Sequence, residues 1–152
     1  MDRALSPVVG VALLTACVVV LCGVVGTMVL AYEPFESASP VLVGATVDAD
    51  ADEITLTLER GGPLDVRELS LLVEVDGEPL AHQPPVPFVG ATGFSTPSGP
   101  FNAAADPHWE RGESAVLPIA GTNGPLPEPG SRLTIRLFEN ELPIAVVETS
   151  AD

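Results

Sequence analysis

The sequence predicts an α+β protein in which one long, hydrophobic N-terminal helix precedes a small all-β sandwich. Three observations support this fold class. Residues 4–32 carry no charged side chain, the chain beyond them is strongly acidic, and that acidic part alternates apolar and polar residues. The chain accordingly divides into a leader at 1–4, a helix at 5–32, a linker at 33–40 and an acidic domain at 41–152.

The apolar segment Val8–Ala31 is interrupted only by glycines and threonines. As a helix it would extend about 36 Å, enough to cross a hydrocarbon core of ~30 Å. Ser6 is a good N-cap, and Pro7 suits the first helical position because its missing N–H needs no partner there. An acidic domain of this size cannot bury a helix that is apolar all round, so we expect lipid or copies of the same helix to cover it.

Several kinds of segment share this apolar character. A cleaved secretory signal has a basic start and a shorter apolar run than this one. Leu14-Thr15-Ala16-Cys17 has the form of a lipoprotein signal, but the residues after Cys17 stay mostly apolar where a polar tether is usual. An ordinary single-span membrane anchor remains the main structural alternative. Cys17 and Cys22 lie about 140° apart on a helix, so we expect unpaired, buried and inert thiols.

Strand signals begin after a short Ser/Pro tether at 37–40. The EITLTLE run has the period-two pattern of a half-buried strand, and Asp76-Gly77 and Glu139-Asn140-Glu141 are turn signals. Short strands with regular turns and no helical pattern favour an immunoglobulin-like sandwich. The predicted strands are Val41–Val47, Glu53–Glu59, Leu69–Val75, Ser114–Ile119, Leu133–Phe138 and Ile144–Thr149.

The stretch 84–108 interrupts this pattern. It holds six prolines with Phe88, Phe94 and Phe101, and it predicts a long surface loop. A loop of this length is either functional or disordered. Its phenylalanines either bind a neighbouring subunit or a surface, or pin the loop to its own domain. We favour the second interpretation.

The charge of the chain restricts its partners. The formal net charge is −15, and from Ser37 onward 18 acidic residues face only 5 arginines, with no lysine anywhere. A nucleic-acid partner is not expected, because phosphate binding requires a basic face. At very high salt the Debye length is about 3 Å or less, which screens the repulsion between the acidic residues of such a domain. The acidic, lysine-free composition therefore favours a halophilic source.

No catalytic motif is present in the sequence. His82 and His108 have no cysteine or clustered carboxylate at ligand spacing, so we expect neither an enzyme nor a metal or other cofactor. The acidic run 48–53, with Glu59 at the twelfth position, imitates a calcium loop of the EF-hand type. Glu53 stands where such a loop has glycine, and a strand pattern follows, so a hydrated turn is the better interpretation.

The first eleven residues carry the most specific signal. Arg3-Ala4-Leu5-Ser6-Pro7-Val8-Val9-Gly10-Val11 resembles the N-terminus of archaeal type IV pilins, especially haloarchaeal ones. The resemblance implies that a membrane prepilin peptidase cuts after Ala4, leaving Leu5 as the mature N-terminus. It is weaker beyond residue 32, where residues 61–65 and 109–113 are similar to patterns in haloarchaeal pilin domains.

The same resemblance implies a route and a set of partners. The precursor would sit in the cell membrane with its N-terminus in the cytoplasm, in contact with lipid until the pilus assembly machinery adds it to other pilin subunits. Small residues at Gly10, Gly23 and Gly26 would let neighbouring helices approach closely beside Val8, Val9 and Val11. The mature filament would lie outside the cell and act in adhesion or biofilm formation. The alternative is a membrane- or lipid-anchored extracellular β-domain that binds a ligand or partner and never polymerises.

Overall fold

A computed structural model of the chain describes residues 5–30 and 40–152, with side chains from 7 to 22 and from 40 onward. Contacts within the chain divide it into two compact units, Met1–Ala38 and Ser39–Asp152. The first contains the helix α1, Leu5–Leu30. The second contains every described strand and is mostly β-sheet.

The predicted membrane-spanning helix at 5–32 is not found. In the described part of the chain, no helix is long and apolar enough to cross a membrane. The stretch of α1 with described side chains, Pro7–Cys22, extends only about 24 Å at 1.5 Å per residue, which is less than a hydrocarbon core of ~30 Å. The predicted fold class, which rested on that long hydrophobic helix, is therefore wrong. The β-rich domain that was predicted to follow it is confirmed.

The strands of the acidic domain form three antiparallel sheets. Their orders are β1-β2-β7, β3-β6 and β5-β4-β8-β9. Two short 3₁₀ turns, Val66–Glu68 and Gly99–Phe101, connect some of the strands. In chain order the strands are β1 (Leu42–Asp48), β2 (Glu53–Arg60), β3 (Leu64–Asp65), β4 (Leu69–Val75), β5 (Glu78–Pro79), β6 (His108–Trp109), β7 (Ser114–Pro118), β8 (Arg132–Glu139) and β9 (Leu142–Ser150).

One hydrophobic core lies between the two larger sheets. Alternate side chains of β2, β4, β7 and β8 are buried in it, while the intervening residues remain half-buried or exposed. Each large apolar side chain that is fully buried contributes about 1.5–3 kcal/mol of burial free energy. The completely buried aliphatic residues of this core are Ile54, Leu56, Leu58, Val66, Val73, Ala115, Leu117, Leu133, Ile135 and Leu137.

Two predicted turns are confirmed at hairpins of the four-stranded sheet. Asp76 and Gly77 both have positive φ between β4 and β5, as do Asn140 and Glu141 between β8 and β9. Positive φ at both central residues is typical of two-residue hairpin turns whose twist matches that of their strands. These turns fix the register in which the strands bury their apolar faces.

The end of β9 also joins the three-stranded sheet. Val47 and Ala151 form a parallel bridge, and the Asp152 N–H donates to the Val47 carbonyl at 3.0 Å. The Ala49 N–H in turn donates to the Asp152 carbonyl at the same distance. These bonds satisfy backbone groups at a strand edge that would otherwise be open to another chain.

The segment 84–108 is packed against its own domain. Phe88 and Phe94 meet edge to face with ring centroids 6.0 Å apart, and Phe101 meets Trp109 in the same way at 5.0 Å. All four rings are buried, and the Trp109 indole N–H donates to the Glu113 carbonyl at 2.8 Å. The phenylalanines therefore pin the loop to the core, as the favoured interpretation of the sequence predicted.

A buried asparagine holds the same loop in place. Asn123 is only 3% exposed, and its Oδ1 accepts a hydrogen bond from the His82 N–H at 3.0 Å. Its Nδ2 donates to the carbonyls of His82 and Gly93 at 3.0 and 3.1 Å. Gly93 has a φ of +85°, and a side chain there would collide with the Asn123 amide. One side chain thus joins three distant segments.

Replacing Asn123 with alanine should strongly destabilise the domain. The substitution leaves the Gly93 carbonyl without this hydrogen bond at a buried site, which costs about 1–3 kcal/mol, and it also removes two part-buried hydrogen bonds to His82. We expect urea denaturation of Asn123→Ala to show a free energy of unfolding at least ~2 kcal/mol below wild type. Thr122→Ala, in the same turn but exposed, is the matched control and should lose less than ~0.5 kcal/mol. Equal stability of the two variants would contradict this role of Asn123.

Candidate functional site

Helix α1 presents large apolar side chains in every direction. Within the part of α1 that has described side chains, nine of them are 50–69% exposed. Three of the predicted assembly residues, Val8, Val9 and Val11, are among them, and Gly10 has open space around it. The remaining six are Leu13, Leu14, Val18, Val19, Val20 and Leu21.

Small side chains leave shallow grooves between these large ones. One shallow groove is lined by Leu13, Ala16, Cys17, Val20 and Leu21. A second groove lies along residues 7–12, lined by Pro7, Val8, Val11 and Ala12. Helices associate when the ridges of one fit into grooves of another, and small residues let the backbones approach. The one described polar side chain of α1, Thr15, is satisfied within the helix because its hydroxyl donates to the Val11 carbonyl at 2.8 Å.

The predicted processing residues lie at the start of this helix. Arg3 and Ala4 are outside the described residues. Leu5 and Ser6 belong to the first turn of α1, so Ser6 lies inside the helix and is not its N-cap as predicted. Pro7 follows as an exposed residue of the same turn. The other two assembly residues, Gly23 and Gly26, lie within the helical backbone of α1.

The two cysteines differ from the expectation in one respect. Cys17 and Cys22 are both free, as predicted from their positions on the helix, but both are exposed. The prediction of buried thiols assumed that other helices or lipid surround α1. Their exposure agrees with that of the apolar side chains around them.

The acidic run 48–53 does not form a calcium loop. Asp48 ends β1, its Oδ1 accepts from the Ala51 N–H at 3.0 Å, and Glu53 already begins β2. A twelve-residue ligand loop would need residues 53–59 to be free of the sheet. Across residues 7–22 and 40–152, no group of three histidine, cysteine or acidic side chains is arranged to hold a metal ion.

The most strongly coupled charges lie beside β3 and β6. Arg67 donates to Asp65 through Nε at 2.9 Å, Nη2 at 2.6 Å and its backbone N–H at 3.0 Å. The side-chain bonds first, and then the backbone bond, lower the pKa of Asp65 from 3.8 to about 2. Nearby, the backbone and ring N–H groups of His108 lower the pKa of Asp106. Arg67, Asp106 and His108 are exposed, and Asp65 is half-buried.

Sequence analysis missed the two side chains that hold the loop. Asn123 belongs to no motif in the sequence, although it bonds to segments 30 and 41 residues away. The Gln83 side chain accepts from the Val73 N–H at 2.7 Å and donates to the carbonyls of Val73 and Leu80 at 3.0 and 3.1 Å. A lone amide among prolines gives no local signal of such contacts.

No protein-family model matches the chain, and no curated protein matches it.

The Asp65–Arg67 contact predicts a pH dependence of stability. Because folding lowers the pKa of Asp65, its contribution is present above pH 3.8 and is lost as the pH falls towards about 2. Arg67→Gln should raise the pKa of Asp65 towards 3.8, as measured by NMR titration of its carboxyl carbon. Wild type should unfold at higher urea than Arg67→Gln at pH 6, and the difference should shrink as the pH falls from 3.8 through about 2.

The control for this experiment is Arg111→Gln, which removes another exposed arginine and should leave the titration of Asp65 unchanged. The experiment should be done at low ionic strength, since salt screens exposed pairs. A wild-type Asp65 that titrates near 3.8 would contradict the assignment.

Proposed function

We propose that this chain is a type IV pilin-like structural subunit of a cell-surface filament. A prepilin peptidase removes residues 1–4, and the pilus assembly machinery adds the mature subunit to others through helix α1. The filament lies outside the cell and acts in surface adhesion or biofilm formation. The observation that carries this proposal is the side-chain chemistry of α1.

Helix α1 has the surface of an assembly element. Between Ala4 and Tyr32 no residue is charged, and the described large side chains are half or more exposed. Covering the remaining exposed area of each would yield on the order of 1 kcal/mol, so nine of them supply a large driving force. Copies of an uncharged, grooved helix can provide that cover to one another. A contact that does not close on itself extends into a filament.

The residues before the helix support processing. Arg3-Ala4-Leu5-Ser6-Pro7 has the order of residues that precedes the apolar helix in archaeal prepilins. Cleavage after Ala4 removes Arg3, whose charge favours a cytoplasmic N-terminus. The subunit that remains begins with apolar residues, which is the state in which α1 can enter an apolar bundle.

The acidic domain suits the outer part of a filament in brine. It carries 18 acidic residues against 5 arginines and no lysine. At molar salt the Debye length falls to about 3 Å, which screens repulsion between neighbouring domains while their carboxylates stay hydrated. We therefore propose a halophilic source for the filament.

Changing the residues at the cut should stop processing. Arg3→Gln combined with Ala4→Leu removes the basic and small residues that the peptidase would read. We expect the precursor to accumulate uncut and the surface filaments to disappear, as followed by N-terminal sequencing and electron microscopy. The control is Arg60→Gln, which removes an arginine far from the cut. Normal cleavage of the double variant would contradict the assigned site, and a lipidated Cys17 would contradict the pilin interpretation itself.

A charge on α1 should block assembly after processing. Val11 is 67% exposed and lies in a groove of the helix, so Val11→Asp puts a carboxylate where another apolar helix is to pack. Burying an unpaired carboxylate costs several kcal/mol. We expect at least a ~100-fold loss of subunit from sheared filaments, while Val11→Leu stays within about twofold of wild type. Filaments of normal yield from Val11→Asp would exclude α1 as the assembly element.

A further inference from the structure

Charge is unevenly distributed over the acidic domain. All its charged residues lie outside two segments, 79–105 and 114–127, which together make up more than a third of residues 40–152. Neither segment contains aspartate, glutamate, lysine or arginine. A domain that bears 18 acids and 5 arginines has therefore kept two long stretches free of charge.

The two uncharged segments lie side by side. The Ser98 N–H donates to the Val116 carbonyl at 3.1 Å, and the Ser95 N–H donates to the Pro118 carbonyl at 3.0 Å. The Ala120 N–H donates to the Gly93 carbonyl at 2.9 Å. These hydrogen bonds bring the two segments together, and we call the exposed residues of both segments the uncharged surface.

The uncharged surface carries exposed apolar groups on a fixed backbone. Val89 is 55% exposed, and Ala103, Ala104 and Ala105 are exposed close to it. The Ala103 N–H donates to the Phe88 carbonyl at 3.0 Å, which joins the chain around Val89 to the chain around Ala104. The buried rings of Phe88 and Phe101, each next to one of these parts of the chain, pack in the core. Such a surface can bind a partner without ordering a loop first, which lowers the entropic cost of contact.

Electrostatics makes a second copy the partner that fits this surface. Two acidic domains repel each other, and a carboxylate buried in their contact loses its hydration without gaining a cation. The uncharged surface avoids both costs. We propose that neighbouring copies of this chain meet through the uncharged surface of their acidic domains. This inference rests on the proposed filament, and it adds a second contact to the one made by α1.

The other exposed valine of the domain provides a comparison. Val146 on β9 is 58% exposed, but it pairs with Arg136 on β8, which forms an ion pair with Glu74 at 3.2 Å. Glu148 stands two residues further along β9. Val146 therefore has charged residues beside it in the sheet, whereas the segment 79–105 that contains Val89 carries none.

The test places one charge on each of these surfaces of the full chain. Val89→Asp and, separately, Ala104→Asp alter the uncharged surface, and Val146→Asp is the matched control. Cells producing each variant are sheared at high salt, and the fraction of processed chain found in filaments is measured by mass spectrometry. Because the three positions are exposed, each variant should keep its thermal unfolding temperature within a few degrees of wild type.

We expect Val89→Asp and Ala104→Asp to lower the filament fraction about tenfold or more, and Val146→Asp to stay within about twofold. Normal assembly of both uncharged-surface variants, or an equal loss with Val146→Asp, would overturn this inference and leave the proposed filament standing. An absence of the chain from wild-type filaments would overturn the proposed function, and this inference with it.

Discussion

The exposed apolar surface of α1 is the feature on which the rest of the account depends. Contact of this surface with water is energetically unfavourable, since every large apolar side chain described in α1 is half or more exposed. No charged residue between Ala4 and Tyr32 offsets that cost. The side chains of α1 must therefore be covered, and a helix with no polar face can be covered on all sides only by other apolar surfaces. Assembly of many copies meets this requirement.

In the proposed filament the acidic domain has the opposite requirement, because it would have to stay hydrated while many copies are held close together. Its core is self-contained, with the inner residues of two sheets and the rings of the 84–108 loop all buried in one cluster. Its charges lie outside the segments 79–105 and 114–127, which Asn123 and backbone hydrogen bonds join. Such a division lets one surface interact with water and salt while another can contact a neighbour.

The sequence predicted local features of the fold well and distant contacts poorly. The alternation in β2 and the Asp76-Gly77 turn could be read from neighbouring residues, because strand and hairpin signals are short-range. The roles of Asn123 and Gln83 could not, since their partners become close only in the folded chain. The prediction of a long membrane-spanning helix was wrong because it extended hydropathy over residues 5–32, whereas the part of the chain that the structure describes has no helix long and apolar enough to cross a membrane.

Of the candidate site, the sequence motif predicted the N-terminal part but not the surface of the acidic domain. The run from Arg3 to Val11 suggested both a cut and an assembly helix, whereas no sequence motif indicated a contact surface on the acidic domain. The uncharged surface emerged only when the 79–105 and 114–127 segments were found side by side. Charge spacing along the chain could have indicated it, but proximity in space required the fold.

A density map of sheared surface filaments, at a resolution that shows side chains, would test the central claim most directly. We expect the filament to be built from this chain, with Val8 and Val11 buried against other α1 helices and the acidic side chains facing solvent. A filament built from another protein, or one in which α1 stays exposed to solvent, would contradict it.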